Sequence, residues 1–377
     1  MIGGRFACQG VAMTSGATLR HPLWLGTYPP GGAGAPAGSG EGLWFLGAAG
    51  PVQVAPSPSP SFLAAHPRAP RLYAVAEQVD GAVATFAVTE DGAATPLATV
   101  RSGGTAPCHL AVHPSGRWLY VANYGDGVAS AIGLDDAGNP TSDVVLLRHD
   151  GSGPNADRQA GPHAHSCTLS PGGTHLLVAD LGTDQLRAYP LDAEGRPGAQ
   201  PVLSDLPPGT GPRHVAVDGE TLYVTLELSD EVAVLAWDAA TARADLLSRV
   251  PTTARRPGSG GPASFPSHLE LTVRDDGTAL LDVGVRGADV ISTFAVHRDD
   301  VPSLDLIGEC PTATWPRHFV AVREGAGRVV VAGERAHQVV VHERDTTGVL
   351  RPATVRLDVP APACVVPQRA SSVVENE

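Results

Sequence analysis

The chain has 377 residues and a formal net charge of −13, with 42% hydrophobic but only 5% aromatic residues. This negative balance argues against non-specific binding to nucleic acid or to an anionic membrane surface. The 44 Gly and 34 Pro residues, and the lack of a long apolar run or a sustained helical period, predict an all-β protein that does not engage a membrane.

The ends of the chain and its cysteines predict a single cytoplasmic domain. Residues 1–20 lack the apolar core of a secretory signal and are interpreted as a loose tail, as are residues 368–377, which leaves one domain over 21–367. The five cysteines are an odd number without C-x-x-C spacing, which predicts neither a zinc site nor a disulfide framework. Reduced thiols are typical of the cytoplasm.

The first predicted strands form an incomplete sheet. Leu23–Tyr28, Gly42–Leu46 and Pro51–Val54 are short apolar segments separated by Gly/Pro-rich turns. A strand that would complete this sheet lies at the other end of the chain, where Pro362–Val366 has the same pattern as Pro107–Ala111. We therefore predict that the C-terminal strand joins the N-terminal blade and closes a ring, which removes exposed sheet edges.

The rest of the chain repeats one pattern of strand, turn, strand, turn and strand. We predict that the first strand of each repeat begins in one register, at Phe62, His109, His165, His214, His268 and His318. These positions are about 50 residues apart, which is the length of a four-stranded propeller blade. The sequence therefore predicts a seven-bladed β-propeller of four-stranded antiparallel blades.

The repeat also predicts where a site should lie. The start of the first strand and the end of the second meet at the same end of an antiparallel hairpin, so these residues surround the mouth of the central channel. The first-strand positions add His163, Arg213 and Arg317 to the repeated histidines. The second-strand positions hold Tyr28, Glu77, Tyr124, Leu181, Glu227, Arg286 and Glu334. We expect the long loops Asp150–Pro162 and Arg255–Pro266 to form the rim.

A purely structural role is the alternative for these residues. A repeated His can tie neighbouring blades together through hydrogen bonds, and the two arginines can pair with the glutamates of the second ring. The H-x-H pair His163 and His165 has the spacing of some metal ligands, but no further Cys or carboxylate of clear metal spacing accompanies it. There is no nucleophile elbow, phosphate-binding Gly-rich loop or redox motif either. We therefore predict no metal and no other cofactor.

Eight short motifs occur in order along the chain. They are G-T-Y (Gly26–Tyr28), A-N-Y-G (Ala122–Gly125), G-P-H-A-H-S (Gly161–Ser166), D-L-G (Asp180–Gly182), G-P-R-H (Gly211–His214), E-L-S (Glu227–Ser229), R-G (Arg286–Gly287) and P-R-H-F (Pro316–Phe319). In this order and spacing they resemble the seven-bladed propeller lactonase family. That family includes bacterial propeller-type 6-phosphogluconolactonases and fungal enzymes that lactonise carboxylated muconate. The resemblance covers residues 21–367.

The resemblance implies a pocket at the channel mouth for a small anionic lactone or its open-chain acid. In the muconate-lactonising relatives catalysis is assigned to a His, two Arg and a Glu, and the matching positions here are His165, Arg213, Glu227 and Arg286. We expect the residues around them to bind the substrate: His163, His214, Arg317, His318, Glu77, Tyr124 and Glu334. This chain departs from the family where Leu226 and Val285 stand in place of common Asn residues, and where Gly333-Glu334 replaces a common Asn-Gln.

The chemistry of these residues suits hydrolysis of an anionic sugar lactone. Such hydrolysis needs a base for water, a cation or donor for the carbonyl oxygen, and a handle for the distal anion. Either His165 or Glu227 could be the base, and Arg213 and Arg286 could bind the anion and offset the oxyanion. The same set supports the reverse closure catalysed by a muconate-type cyclase. A propeller that only binds partners would keep these residues as structure.

Overall fold

The computed structural model describes residues 21–32, 40–254, 263–322 and 327–368. Over these ranges the chain forms seven sheets, each of four strands paired antiparallel throughout, with one short 3-10 turn at Pro171–Gly173 and no α-helix. The predicted seven-bladed β-propeller is confirmed. The predicted tail 1–20, the predicted tail 368–377 apart from Gln368, Cys8 and most of the Arg255–Pro266 loop lie outside the described residues, and the domain limits stay predictions.

Each blade begins with an inner strand at the channel and ends with an outer strand at the surface of the ring. Blade 1 contains β28 (Pro362–Pro367), β1 (Leu23–Thr27), β2 (Leu43–Gly47) and β3 (Gly50–Ala55). Blade 2 contains β4 (Leu63–Ala65), β5 (Arg71–Ala76), β6 (Ala82–Val88) and β7 (Ala94–Arg101). Blade 3 contains β8 (Pro107–Val112), β9 (Trp118–Asn123), β10 (Ala129–Leu134) and β11 (Pro140–Leu147). Blade 4 contains β12 (Ala164–Leu169), β13 (His175–Asp180), β14 (Gln185–Pro190) and β15 (Val202–Asp205).

The remaining three blades follow the same order. Blade 5 contains β16 (Pro212–Asp218), β17 (Thr221–Leu226), β18 (Glu231–Asp238) and β19 (Arg243–Pro251). Blade 6 contains β20 (Phe265–Val273), β21 (Ala279–Arg286), β22 (Val290–His297) and β23 (Ser303–Pro311). Blade 7 contains β24 (Pro316–Val322), β25 (Arg328–Gly333), β26 (Gln338–Glu343) and β27 (Val355–Asp358). Strand β28 pairs with β1, so the C-terminus closes the ring as predicted.

The hydrophobic core is divided among the interfaces between blades. Seven clusters of buried apolar side chains each contain residues of two neighbouring blades, and together they run around the whole ring. Leu177 and Leu222, for example, join blades 4 and 5. Replacing one such buried Leu by Ala typically costs about 2–5 kcal/mol. These interfaces hold the inner strands in a fixed arrangement around the channel.

Most inner strands begin with a β-bulge at the channel mouth. In blade 3, Pro107 pairs with Asn123 while His109 pairs with Ala122, so Cys108 is an extra residue without a partner. Equivalent register shifts open the inner strands of blades 1, 4, 5, 6 and 7. A bulge turns its side chain away from the regular alternation of the strand. The residues that follow the first position of these strands are therefore presented at the channel mouth.

The bulge corrects one sequence prediction. In blade 4, Ala164 pairs with Asp180 and Ser166 with Ala179, so the extra residue is His165. Ser166, not His165, holds the register of His109, and the prediction of five histidines in one register was wrong at this position. The H-A-H-S segment offers two histidines, and periodicity alone does not show where the bulge falls. His165 instead shares the bulge position of Arg213 and Arg317, at the mouth itself.

Candidate active site

Four of the repeated histidines pack across the channel one residue further in than the bulge. We call this group, with the ring of Phe62, the histidine layer: His109, His214, His268 and His318. Phe62 lies 4.2 Å from His109, and His268 stacks on His318 at 4.0 Å, measured between ring centroids. Burial and the charge of Arg213 lower the pKa of His318 to about 3, and burial is also the main cause that lowers the pKa of His109 to about 3. The layer is therefore uncharged at neutral pH.

Two members of the histidine layer also connect blades. His109 Nδ1 accepts the N–H of Cys167 in blade 4 at 3.3 Å, and His318 Nδ1 accepts the N–H of Val365 in blade 1 at 3.4 Å. His214 Nδ1 lies 3.0 Å from His268 Nδ1. These contacts are those expected if the repeated histidines have a structural role. His214 and His318, which were predicted to bind substrate, lie in this layer beneath the mouth.

On the far side of the mouth from blade 1, three arginines surround one carboxylate. We call this group the Glu227 cluster: Glu227, Arg158, Arg213 and Arg286. Glu227 Oε2 lies 3.0 Å from Arg213 Nε and 2.7 Å from Arg286 Nη2, and Oε1 lies 2.7 Å from Arg158 Nη2. Burial would raise the pKa of Glu227, but the arginines around it hold that pKa well below its usual value. The carboxylate is therefore ionised, and the cluster carries an excess of positive charge.

Arg213 is the least satisfied member of the Glu227 cluster. Its side chain is 3% exposed, yet neither Nε nor Nη1 has a hydrogen bond of good geometry, although Nε is close to Glu227. Burial and the charge of Arg286 lower the pKa of Arg213 to about 9, so it remains a cation at neutral pH. An unsatisfied buried donor typically costs about 1–3 kcal/mol. Such a group is suited to an oxygen ligand that supplies the missing acceptor.

Arg158 is the member of this cluster that the sequence did not identify. It comes from the Asp150–Pro162 loop, which was predicted to form part of the rim, and it reaches across to Glu227 and to the Tyr124 hydroxyl at 3.2 Å. Burial would lower its pKa, but the ion pair with Glu227 raises it. The only signal was the length of the loop, because no strand register marks a side chain that enters the site from a loop.

On the opposite side of the mouth, one arginine lies among two carboxylates and a phenol. We call this group the Arg317 cluster: Arg317, Tyr28, Glu77 and Glu334. Arg317 Nη2 donates to the Tyr28 hydroxyl at 2.5 Å, and that hydroxyl donates to Glu77 Oε2 at 2.5 Å. Arg317 Nη1 lies 3.4 Å from Glu334 Oε2. Burial would lower the pKa of Arg317, but Tyr28 and Glu334 raise it. Every charged group here has a partner within the cluster.

Two more predicted residues lie beside the Glu227 cluster. His163 stacks on Tyr124 at 4.5 Å, and its Nδ1 lies 2.6 Å from the Tyr124 carbonyl oxygen. Because the carbonyl oxygen can only accept, Nδ1 carries a proton and donates it, and Nε2 is the ring nitrogen outside this contact. His165 meets Tyr124 edge-on at 5.5 Å, and burial together with the charge of Arg213 lowers its pKa well below the usual value. His165 is therefore a neutral imidazole close to the arginines.

Trp315 occupies an unusual backbone position at the rim. In five blades the residue before a proline that begins or closely precedes the inner strand has a positive φ, at Ser59, Ala106, Gly211, Trp315 and Ala361. Four of these are small, whereas Trp315 is held at φ +63° although a bulky residue in this region typically costs about 1–3 kcal/mol. Its N–H donates to Asp289 Oδ1 at 2.9 Å, and its carbonyl accepts the N–H of Glu334 at 3.1 Å.

The indole of Trp315 contacts two arginines. The guanidinium carbon of Arg286 lies 5.5 Å from the ring centroid and that of Arg335 lies 3.4 Å from it, both within the range of cation–π contacts. Arg286 belongs to the Glu227 cluster, whereas Arg335 is exposed on the turn after β25. Sequence reasoning missed Trp315 and Arg335, because neither lies at the predicted ring positions.

Several motif residues serve the architecture around the site. A Cβ on Gly182 of D-L-G would lie 2.0 Å from the carbonyl oxygen of Gly161, so only glycine lets these two backbones approach. Leu226 and Val285, which depart from the family pattern, are fully buried in the cores between blades 4 and 5 and between blades 5 and 6. Their apolar side chains therefore pack behind the charged clusters.

In the part of the chain that the structure describes, neither the cysteines nor the other ligand-type residues form a recognisable metal centre. Cys108, Cys167, Cys310 and Cys364 are buried free thiols, and burial raises the pKa of Cys310 to about 11 and that of Cys364 to about 12. Within the described ranges, no group of three or more His, Cys, Asp or Glu side chains is arranged to hold a metal. No helix in those ranges is long and apolar enough to cross a membrane.

Comparison with known proteins adds to this geometry. Residues 48–367 match the family model described as lactonase, 7-bladed beta-propeller. A 6-phosphogluconolactonase of Bacillus subtilis is 29% identical over 365 residues, which cover 91% of this chain and 97% of that protein. The solved structure of a Lactobacillus plantarum protein is 28% identical with a TM-score of 0.78, over 93% of this chain and 99% of that one. A periplasmic gluconolactonase of Pseudomonas aeruginosa is 26% identical with a TM-score of 0.77, over the same shares.

Proposed function

Because the chain belongs to the seven-bladed β-propeller lactonase family, a family of lactone-hydrolysing enzymes, we propose that it hydrolyses an anionic sugar lactone of the 6-phosphogluconolactone type. The family resemblance predicted from the motifs is thus confirmed. The Bacillus subtilis relative carries the name of this activity, and the Pseudomonas aeruginosa neighbour is named a gluconolactonase. Both names support a lactone of a six-carbon sugar acid, and they differ in the phosphate.

The observation that carries this proposal is the excess of guanidinium groups around Glu227. Three arginines share one carboxylate, and Arg213 has donors without acceptors although it is buried. Attack of water on a lactone carbonyl places negative charge on the carbonyl oxygen, which a preorganised cation stabilises strongly where water is excluded. We assign this oxyanion to Arg213.

In this proposal Glu227 is a positioning residue. Both of its oxygens are engaged by arginines, which leaves neither oxygen available to take a proton from water. Its role is to orient Arg213 and Arg286. Arg286 is further fixed by the carbonyl oxygens of Phe265 and Pro266, each at 3.3 Å, and we assign it to the carboxylate that forms as the lactone opens. Of the two bases that the sequence left open, the geometry therefore favours His165.

The proposed reaction uses His165 as the general base. Its neutral imidazole takes a proton from water as the water oxygen attacks the lactone carbonyl carbon, and the carbonyl oxygen becomes an oxyanion beside Arg213. The bond from the carbonyl carbon to the ring oxygen then breaks, and the ring oxygen takes the proton back from the imidazolium. The product is the open hydroxy acid, which ionises at neutral pH. His163 orients the attacking water through its free Nε2.

We also propose a cytoplasmic location. Four buried cysteines without disulfides suit a reducing compartment. The Pseudomonas aeruginosa neighbour is named periplasmic, so cell fractionation with an antibody to the native chain is the direct check. Recovery of the protein with periplasmic markers would contradict the proposal.

The proposed function is tested by following acid release from 6-phosphogluconolactone near pH 6.5, with the spontaneous rate subtracted. We expect the wild type to exceed the spontaneous rate and Arg286→Ala to lower kcat/KM by about 100-fold, because a charge-assisted bidentate contact is lost. Arg286→Lys should recover only part of the loss. The control is Arg298→Ala, which breaks an exposed pair with Asp218 away from the mouth. A wild type without activity excludes this substrate, and an active Arg286→Ala excludes the site.

A further inference from the structure

We propose that Arg335, stacked on Trp315, forms a rim subsite that binds the phosphate of a phosphorylated lactone and thereby selects it over the neutral sugar lactone. This inference rests on the proposed function, because it assumes that the Glu227 cluster holds the reacting carbonyl. It adds the residue that binds the phosphate, at the end of the substrate away from the lactone carbonyl. Three features of Arg335 support it: its guanidinium has no carboxylate partner among the described residues, it packs on a fixed indole ring, and that ring also contacts Arg286 of the Glu227 cluster.

Arg335 differs from the other arginines at the mouth in its partners. Arg158, Arg213 and Arg286 share Glu227, and Arg317 is bound by Tyr28 and Glu334. Arg335 is exposed and makes no ion pair with any carboxylate among the described residues, and its guanidinium packs on the indole of Trp315. Its guanidinium donors therefore remain available for an anion that arrives from solvent.

Trp315, on which Arg335 packs, is held in a fixed position. The corresponding position in four other blades holds a Ser, Ala or Gly with positive φ, so the fold there does not require an aromatic side chain. Trp315 nevertheless occupies it, fixed by Asp289 of blade 6 and by the N–H of Glu334. A bulky residue kept in this backbone region points to a function that requires it. The aromatic ring limits the rotamers of Arg335 and so presents its planar donors in one orientation.

Trp315 joins this free cation to the reaction site. The same indole contacts Arg286 of the Glu227 cluster and Arg335 at the rim, so one side chain fixes the separation between the two guanidiniums. A ligand matches this arrangement if its lactone carbonyl lies at the Glu227 cluster and a dianionic group at its other end lies at Arg335. Stacking of a neutral sugar on Trp315 is a poorer match, because the Arg335 guanidinium already lies 3.4 Å from the centre of that ring.

The test compares two lactones and two products in the full-length protein. Rates are measured with 6-phosphogluconolactone and with glucono-1,5-lactone, and binding of 6-phosphogluconate and of gluconate is measured by calorimetry. In Arg335→Gln we expect the ratio of kcat/KM for the phosphorylated over the neutral lactone to fall about 10- to 100-fold, because a charge-assisted phosphate contact is lost. Arg335→Lys should keep part of the preference, and Trp315→Leu should lose part of it. Arg298→Gln is the matched exposed control.

The outcomes separate this inference from the proposed function. If the wild type hydrolyses both lactones and Arg335→Gln leaves the ratio within twofold of the wild type, the subsite is wrong and the lactonase proposal stands. If the wild type hydrolyses neither lactone, the proposed function fails and calorimetry decides the subsite. Weaker binding of 6-phosphogluconate but not of gluconate in Arg335→Gln would then support it. Equal binding by both proteins, or none by the wild type, would overturn it.

Discussion

The two sides of the channel mouth use similar residues for different ends. In the Glu227 cluster three arginines share one carboxylate, and Arg213 is left with unsatisfied donors. In the Arg317 cluster one arginine meets two carboxylates and a phenol, and each group has a partner. Buried charges that are all paired within their cluster have a structural role. A buried cation with unbonded donors is suited to bind an incoming anion. We therefore expect the Glu227 cluster to bind the substrate and the Arg317 cluster to support the fold.

The largest effect is expected on stability, when the Arg317 cluster loses its only arginine. Arg317→Met should lower the free energy of unfolding by about 3–5 kcal/mol, because Glu334 is left buried without its partner. Denaturant unfolding followed by tryptophan fluorescence measures this. The control Arg298→Met breaks a more exposed ion pair and should cost about 0–1 kcal/mol. Equal stability of the two variants would contradict the structural role of the Arg317 cluster.

The binding side should respond in activity instead. Arg213→Met is expected to lower kcat for lactone hydrolysis by about 10²–10³-fold, because the oxyanion loses its cation. Its cost in stability should be smaller than that of Arg317→Met, since Glu227 keeps two other arginines. Steady-state kinetics and unfolding on the same preparations give both numbers. An inactive variant that is also unfolded would leave no distinction between the two clusters and would break the comparison.

Beneath both clusters, the histidine layer predicts a dependence of stability on pH. The pKa of His109 is about 3 in the folded protein against about 6.5 when unfolded, so below pH 6.5 the unfolded chain binds more protons. Stability should therefore fall as the pH drops from 6.5 to 5, with about 2 kcal/mol from His109 alone at 1.36 kcal/mol per pKa unit. In His109→Gln this acid-induced loss should shrink by that amount. An identical pH profile in the variant would show that His109 is not held neutral.

The proposed base, His165, makes a matching prediction for activity. Because the pKa of His165 lies well below its usual value, His165 stays unprotonated as the pH falls through 6.5. We expect kcat/KM to change less than twofold between pH 7.5 and 6, measured with the spontaneous rate subtracted. A fall with an apparent pKa near 6.5 would contradict His165 as the base.

An effect smaller than that of Arg213→Met is expected for Arg158, at the edge of the Glu227 cluster. Arg158 is partly exposed and contacts Glu227 from the rim loop. Arg158→Ala should raise KM for an anionic lactone by about tenfold and change kcat less than threefold, because it removes a cation that attracts substrate but does not touch the reacting oxygen. A variant with a lower kcat and an unchanged KM would place Arg158 in the chemical step.

The sequence predicted the architecture well because the fold depends on features that repeat. Strand alternation, the spacing of the blades and the match of Pro362–Val366 to an inner strand are all visible in one dimension, and the strands of the closed ring confirm them. The sequence also predicted that Arg213, Glu227 and Arg286 lie close together, because the start of a first strand and the end of a second strand lie at the same end of an antiparallel hairpin. What it missed depends on local irregularity. The bulge at His165 shifts the register by one residue, Arg158 enters the Glu227 cluster from a loop, and the proposed phosphate contact Arg335 lies on a turn.

The most direct measurement of the central claim is a crystal structure of the protein with bound 6-phosphogluconate. We predict a carboxylate oxygen of this product at about 2.7–2.9 Å from a guanidinium nitrogen of Arg213, the range of charge-assisted hydrogen bonds. A product molecule bound beside the Arg317 cluster, with Arg213 still contacting only Glu227, would contradict the claim.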